Sequence, residues 1–170
     1  MTFGTPEPLV IADASPLIGL AKIGRLGILH RLAREVWIPR AVWLEVTAGA
    51  SGRAEAGDLL SHLAGSVRDV DLVLTRKFIR QVDPGEAAAV ALAITSPGCL
   101  LLIDDAAGRR VAEAEGIRCI GAAGLLLRAK RTGLIPSLAA DLSALRMHGY
   151  FLSERLVVQL LAAAGERVIE

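Results

Sequence analysis

The part of the sequence that most constrains the fold is a short apolar run that ends in two acids. Residues 99–103 are all apolar, a turn-forming Ser-Pro-Gly segment precedes them, and Asp104 and Asp105 follow directly. An apolar run of this length between turn residues is typical of a strand buried on both faces in a parallel sheet. Open α/β sheets carry their sites at the carboxyl ends of such strands. The run therefore predicts an α/β fold with carboxylates at that edge.

The rest of the chain alternates short apolar runs with helical patterns. Further strands are predicted at 9–12, 36–39 and 117–120, and residues 67–82 indicate a strand or an irregular edge. Ser15 and Pro16 predict the N-cap and first residue of one helix, and the sequence Asp-Pro-Gly-Glu at 83–86 predicts a capping box that starts another. Strands that alternate with helices predict a central, mostly parallel sheet between two helical layers, a three-layer α/β/α fold.

The C-terminal part of the chain contains helices without an intervening strand. Helical patterns cover about 137–147 and 153–164, within a segment of about 134–170. We expect these helices to form a hairpin that packs on the sheet or on a partner. The absence of a linker or repeat predicts a single domain over residues 1–170.

Composition and charge exclude several classes of protein. The 170 residues carry 19 basic and 18 acidic side chains, a net charge of +1, so no overall basic field exists to hold nucleic acid. Residues 1–8 have neither the basic nor the apolar part of a targeting segment, and no stretch is apolar enough to span a membrane. The sequence therefore predicts a cytoplasmic protein with no membrane contact, in which Cys99 and Cys119 are reduced.

Other acids are expected to join Asp104 and Asp105 at the sheet edge. Asp13 ends the first apolar run, and Glu45 and Glu86 lie in helices that can point to the same edge. A set of carboxylates without a basic residue in the same motifs suits Mg²⁺ or Mn²⁺, which prefer oxygen ligands. Such an ion can activate water against a phosphodiester, so metal-assisted phosphoryl chemistry is the predicted reaction.

Each acid also has a structural interpretation. Glu86 is fully explained as the third residue of a capping box, and either Asp104 or Asp105 can cap the helix that follows. Glu45 alone is typical of a solvated helix face. A functional role is favoured for Asp13, because Ser15 is predicted to be the N-cap of the helix that follows. The choice between Asp104 and Asp105 as the functional acid stays open.

Basic and aromatic residues indicate how a nucleic acid would be held. Arg109 and Arg110 follow the two aspartates by one helical turn and are predicted to bind a phosphate near the metal. The chain has one Tyr, three Phe and two Trp, too few for a base-stacking sheet surface. Contacts to the nucleic-acid backbone are therefore expected to dominate.

Five stretches, taken in order, resemble PIN-domain nucleases, and more narrowly a prokaryotic subgroup close to VapC-type toxins. They are residues 11–18, 38–46, 84–93 and 101–112, which contain the acids, and residues 124–136. The resemblance covers nearly the whole chain. No single motif is specific, whereas four acidic motifs in one order are. The chain departs from the family pattern in two ways. It has Glu at the third acidic position, where many members have Asp, and it has two adjacent aspartates at the fourth.

The resemblance implies a metal-dependent endoribonuclease that uses Mg²⁺ or Mn²⁺ and acts in a toxin–antitoxin pair. By position, Asp13, Glu45 and Glu86 match the first three family acids, and Asp104 or Asp105 matches the fourth. Ser15 matches a small polar residue beside the first acid, where it would contact substrate. The expected partners are RNA, a small antitoxin protein and a second copy of the chain in a homodimer.

Three alternatives remain beside this hypothesis. A structure-selective DNA nuclease would use the same acids, and the sequence does not distinguish the two substrates. A non-catalytic protein-binding module would keep the PIN fold without metal chemistry. A phospho-receiver domain also clusters acids at strand ends, but its accompanying lysine and acceptor aspartate have no matching positions here.

Overall fold

A five-stranded parallel sheet forms the centre of the protein in the computed structural model, which describes residues 7–167. The strands are β1 (Leu9–Ala12), β2 (Glu35–Pro39), β3 (Val67–Arg68), β4 (Leu100–Leu102) and β5 (Arg118–Ile120). Their order across the sheet is β3-β2-β1-β4-β5, and every pairing is parallel. The predicted parallel sheet is confirmed.

Helices follow the strands in the predicted alternation. They are α1 (Ala14–Lys22), α2 (Leu29–Leu32), α3 (Arg40–Ala50), α4 (Ala56–Leu63), α5 (Leu72–Arg76), α6 (Pro84–Ile94), α7 (Ala106–Ala114), α8 (Ala122–Arg131), α9 (Leu138–Met147) and α10 (Glu154–Ala164). Short 3₁₀ turns precede α2 and β3.

Two apolar clusters, one on each face of the sheet, hold the layers together. Alternate residues of β1 point to opposite faces: Val10 and Ala12 pack with α1, α3, α8 and the C-terminal helices. Leu9 and Ile11 pack with α6 and its neighbours on the other face. The sheet is therefore covered on both faces, and the predicted three-layer α/β/α architecture is confirmed.

The path of the chain brings the carboxyl ends of β1 and β4 together. From the central strand β1 the chain builds outward to β2 and β3, and then crosses back to place β4 on the other side of β1. Ala12 pairs with Leu102, and the backbone N–H of Asp13 donates to the carbonyl of Leu102 at 2.9 Å. This reversal of strand order is the point where open α/β sheets form ligand sites.

The segment 67–82 differs most from the sequence-based expectation. Only Val67–Arg68 forms a strand; α5 and a series of turns follow. The reason is Asp71, whose carboxylate accepts hydrogen bonds from the N–H groups of Val73 and Leu74 and so caps α5. The local cap outweighs the irregular alternation of apolar residues.

The start of α1 also differs from the prediction. Ser15 lies inside the helix and is exposed, and the N-cap position belongs to Asp13. Because the N–H of Asp13 still extends the β1–β4 ladder, the chain passes from strand to helix without a loop. The prediction that Ser15 is the N-cap was wrong.

The C-terminal helices α9 and α10 pack on this protein's own core. Leu142 and Leu145 of α9 and Val157 and Leu161 of α10 belong to the apolar cluster on the α1 side of the sheet. No helix in the described range is long and apolar enough to cross a membrane. The prediction that residues 1–8 lack a targeting segment falls mainly on residues 1–6, outside the described residues.

Candidate active site

Asp13 is the acid at the centre of the sheet edge. It follows β1, the middle strand, and only 4% of its surface is exposed. Although it occupies the N-cap position of α1, its carboxylate makes no capping hydrogen bond. The pKa of Asp13 is raised to about 7, mainly by burial and also by the charges of Glu86, Asp83 and Glu45, while a hydrogen bond from the backbone of Ala14 lowers it. The fold therefore buries this carboxylate without using it as a cap.

Glu86 lies near Asp13 at the start of α6 and combines two properties. Its N–H donates to Asp83 Oδ1 at 2.9 Å, and its Oε2 accepts from the N–H of Asp83 at 3.3 Å, so the predicted capping box is confirmed. Burial nevertheless raises the pKa of Glu86 to about 7, with further contributions from the charges of Asp83 and Asp105. The cap fixes the position of a carboxylate that is costly to ionise, so capping and a functional role are compatible here.

Glu45 reaches the same place from α3. A Cβ atom on Gly85 would lie 2.9 Å from Glu45 Oε2 and 3.4 Å from Asp83 Oδ1, so both carboxylates approach the first turn of α6 closely. Burial raises the pKa of Glu45, and the charge of Asp83 raises it further. A side chain at position 85 would displace Glu45, which explains why glycine suits this position.

The two aspartates after β4 have different surroundings. Asp105 is the N-cap of α7: its Oδ1 accepts from the N–H groups of Ala107 and Gly108 at 2.8 and 2.9 Å. Its charge contributes to the raised pKa of Glu86. Asp105 therefore lies close enough to Glu86 to affect its pKa while it caps a helix.

Asp104 points toward the start of α8. Its Oδ1 accepts from the N–H of Ala122 at 3.1 Å, and its Oδ2 is buried without a hydrogen-bond partner among the described residues. Burial raises the pKa of Asp104 to about 6, against the charge of Arg109. Asp104 does not contribute to the shifted pKa of Asp13 or Glu86. Asp104 and Asp105 therefore lie on different sides of the sheet edge.

The three predicted substrate-binding residues, Ser15, Arg109 and Arg110, lie in different surroundings. Arg109 lies beside Asp104 and donates from Nη1 to the carbonyl of Ile103 at 3.2 Å. Ser15 and Glu45 line one cavity of about 260 Å³. Arg110 is exposed, and its side chain makes no hydrogen bond or ion pair with another residue in the range 7–167.

The donor set at this edge fits a hard divalent cation, because every ligand it offers is a carboxylate oxygen. Within residues 7–167, no three His, Cys, Asp or Glu side chains are arranged to hold a metal ion. Mg²⁺ binds proteins through one or two carboxylates and completes its shell with water and substrate phosphate. Asp13 and Glu86, both buried and with raised pKa values, are sufficient for that mode of binding.

Sequence reasoning missed two residues of the site. Asp83 was assigned only a capping role, yet its charge raises the pKa of Asp13, Glu45 and Glu86. The signal was present, since the residue precedes Glu86 by three positions. Tyr150, whose hydroxyl is buried without a partner among the described residues, lies beside the site through tertiary packing that no local pattern reveals.

Comparison with known proteins assigns the fold to a family. A family model described as a PIN domain matches residues 9–166, a span that contains every strand and all the acids discussed above. Comparison with curated proteins gives no match. PIN domains are generally nucleases and typically use divalent metal ions. Because the family model matches almost the whole chain, the protein belongs to the PIN-domain family.

Proposed function

We propose that this PIN domain is a metal-dependent endoribonuclease. The observation that carries the proposal is the carboxylate of Asp13, which is buried, makes no capping bond and has its pKa raised to about 7 in the company of Glu86, Asp83 and Glu45. Buried acids with perturbed pKa values at a sheet edge are typical of functional sites. A fold that needed only a helix cap would not assemble four acids there.

In the proposed mechanism Asp13 and Glu86 would hold the metal, and Asp105 would hold it directly or through water. A bound Mg²⁺ or Mn²⁺ supplies a water of lowered pKa and neutralises charge on the phosphodiester. The capping box fixes the Glu86 side chain and burial restricts that of Asp13, so little side-chain ordering is needed when substrate arrives. Glu45 is exposed beside these acids, and its carboxylate would act as the base that takes a proton from the attacking water.

The resemblance to VapC-type toxins supports the finer part of the proposal. It assigns RNA as substrate, a small antitoxin protein as partner, a homodimer as the assembly and the cytoplasm as the place of action. Arg109 would hold a substrate phosphate on the Asp104 side, and Ser15 would contact substrate on the Glu45 side. Arg110, exposed on α7, would bind the strand farther from the cleaved bond.

A second candidate is a non-catalytic protein-binding module. It is favoured by one observation: within residues 7–167, no three His, Cys, Asp or Glu side chains are arranged around a single metal position. A module of this kind would keep the fold and neither bind Mn²⁺ nor cleave nucleic acid.

The test of the proposed function is cleavage of a mixed RNA pool by purified protein, with Mn²⁺ or with chelator, followed by mapping of the cut ends. We expect discrete cuts with Mn²⁺ and none with chelator. A parallel reaction with single-stranded and structured DNA distinguishes a DNA nuclease. Intact RNA at every metal concentration, from a folded protein, would contradict the proposal.

Asp105 offers a way to separate the cap from the metal site. Asn is as good an N-cap as Asp, so Asp105→Asn is expected to keep the stability of wild type, whereas Asp105→Ala loses about 1 kcal/mol of unfolding free energy. Both variants are expected to cleave RNA about a hundredfold more slowly. Urea unfolding and single-turnover cleavage measure the two effects.

The matched control is Asp71→Asn, at the N-cap of α5, which is expected to keep both stability and cleavage. Wild-type cleavage by Asp105→Asn would remove Asp105 from the metal site and leave only its capping role.

A further inference from the structure

A cavity of about 330 Å³ adjoins the proposed active site on the Asp104 side. It lies between the start of α8 and the segment that joins α9 to α10. Asp104, Arg109, Tyr150, Phe151 and Leu156 are among its lining residues. We call it the α8–α10 cavity. It brings a cation, a carboxylate, a phenol and an aromatic ring to one place.

Two buried polar atoms in this cavity's lining residues lack partners. Among the described residues, Asp104 Oδ2 and Tyr150 Oη are the buried side-chain atoms that make no hydrogen bond. One accepts a hydrogen bond, and the other both donates and accepts. A buried polar atom without a partner costs about 1–3 kcal/mol. A ligand with polar groups would offset that cost once small rotations of the two side chains bring these atoms to the cavity.

The backbone fixes Tyr150 at the junction between this cavity and the acids. Gly149 has a φ of 82°, which ends α9, and the N–H of Tyr150 donates to the carbonyl of Leu145 at 3.0 Å. The ring packs on α1, where a Cβ atom on Gly19 would lie 2.8 Å from Tyr150 Cε2. Tyr150 also lines the cavity that contains Ser15 and Glu45. Tyr150 therefore separates the α8–α10 cavity from the cavity that contains Ser15 and Glu45, and it contacts both.

Phe151 supplies the second aromatic ring at the opening. It is 89% exposed, which leaves a large apolar surface in water beside the cavity. An exposed aromatic ring next to a cation and unpaired polar atoms is suited to a nucleobase and its phosphate, since bases stack on aromatic rings whatever their identity. An aliphatic ligand would leave the two buried polar atoms without partners and would not use the charge of Arg109.

We propose that the α8–α10 cavity binds one nucleotide of the RNA strand, next to the phosphodiester held by the acids. Phe151 stacks on the base, Arg109 binds the adjoining phosphate, and Tyr150 and Asp104 hydrogen-bond to the base or ribose after small side-chain rotations. The inference rests on the proposed function, and it assigns the contacts that hold the substrate beside the metal site.

The test replaces Phe151 with Ala and compares it with Met147→Ala. Met147 is 85% exposed, lies four residues earlier and does not line the cavity, so it is a matched control. We expect Phe151→Ala to raise KM for a short single-stranded RNA about tenfold with kcat changed less than about twofold, because the loss is one base stack. Met147→Ala is expected to leave both constants unchanged.

The outcomes separate this inference from the proposed function. Normal RNA cleavage by wild type together with an unchanged KM in Phe151→Ala would overturn the nucleotide site alone. Absence of cleavage and of RNA binding in wild type would overturn both. If Phe151→Ala instead converts a dimer to a monomer in light scattering while RNA affinity is unchanged, a second copy of the chain covers this surface, and the inference fails.

A spectroscopic test does not depend on cleavage. Tyr150 is the sole tyrosine of the chain, so incorporation of 3-fluorotyrosine gives one ¹⁹F resonance. We expect this resonance to move when the short RNA is added in Ca²⁺, used in place of the catalytic ion, and to stay in place with Ca²⁺ alone. In Phe151→Ala the shift is expected to need about ten times more RNA. A resonance that does not move, although the wild-type protein binds the RNA, would contradict the contact between Tyr150 and the nucleotide.

Discussion

Asp13→Asn is expected to reduce metal-dependent RNA cleavage by about a thousandfold or more, because it removes the buried charge that the proposed metal binds. Asn has nearly the same shape as Asp, and the carboxylate makes no capping bond that the fold would lose. Single-turnover cleavage measures the rate, and circular dichroism measures the fold. We expect a native spectrum together with the lost rate.

Asp58→Asn is the control for this variant. Asp58 is exposed on α4, outside the group of acids, and its replacement is expected to leave cleavage unchanged. Equal cleavage by Asp13→Asn and wild type would remove Asp13 from the mechanism.

The second large effect is on stability as a function of pH. In the folded protein without metal, burial raises the pKa of Asp13 from 3.8 to about 7. Between these pH values the unfolded chain loses the Asp13 proton while the folded chain keeps it, so the free energy of unfolding falls as the pH rises. Above about pH 7 the full loss of unfolding free energy is present. That loss is on the order of 4 kcal/mol. Glu86 acts in the same direction between 4.5 and about 7.

Comparison with Asp13→Asn isolates the contribution of this one group. Other carboxylates, such as Glu166, whose pKa is lowered to about 2 by hydrogen bonds from Lys130 and from the start of α9, stabilise the fold as pH rises and would obscure the trend in wild type alone. In chelator, we expect Asp13→Asn to be more stable than wild type by a few kcal/mol at pH 8, and by much less at pH 5. Urea unfolding measures the difference in unfolding free energy between Asp13→Asn and wild type at each pH. An equal difference at pH 5 and pH 8 would contradict the raised pKa of Asp13.

The fold was predictable from sequence where a pattern is local. The apolar run at 99–103 and the sequence Asp-Pro-Gly-Glu at 83–86 each specify one element, and both predictions are confirmed, although β4 itself covers only Leu100–Leu102. The segment 67–82 was not predictable, because the capping bonds of Asp71 and the apolar alternation compete within a few residues.

The site was predictable in part, because parallel order places strand ends together. The sequence identified the acids, but the direction of each side chain depends on tertiary contacts. Asp105 turns toward Glu86 while Asp104 turns toward the N–H of Ala122, and the sequence left this choice open. Close approach of Glu45 to Gly85 depends on how α3 packs against α6, which no spacing in the sequence encodes.

The most direct test of the account is calorimetric titration of the wild-type protein with Mn²⁺ near pH 7, in buffers of different ionisation enthalpy. Because Asp13 and Glu86 have pKa values of about 7, metal binding must displace protons from them, so the measured heat is expected to depend on the buffer. We expect the wild-type protein to bind Mn²⁺ with release of protons, and Asp13→Asn to lose both the binding and the proton release. A folded wild-type protein that takes up no Mn²⁺, or binds it equally after Asp13→Asn, would contradict the metal site.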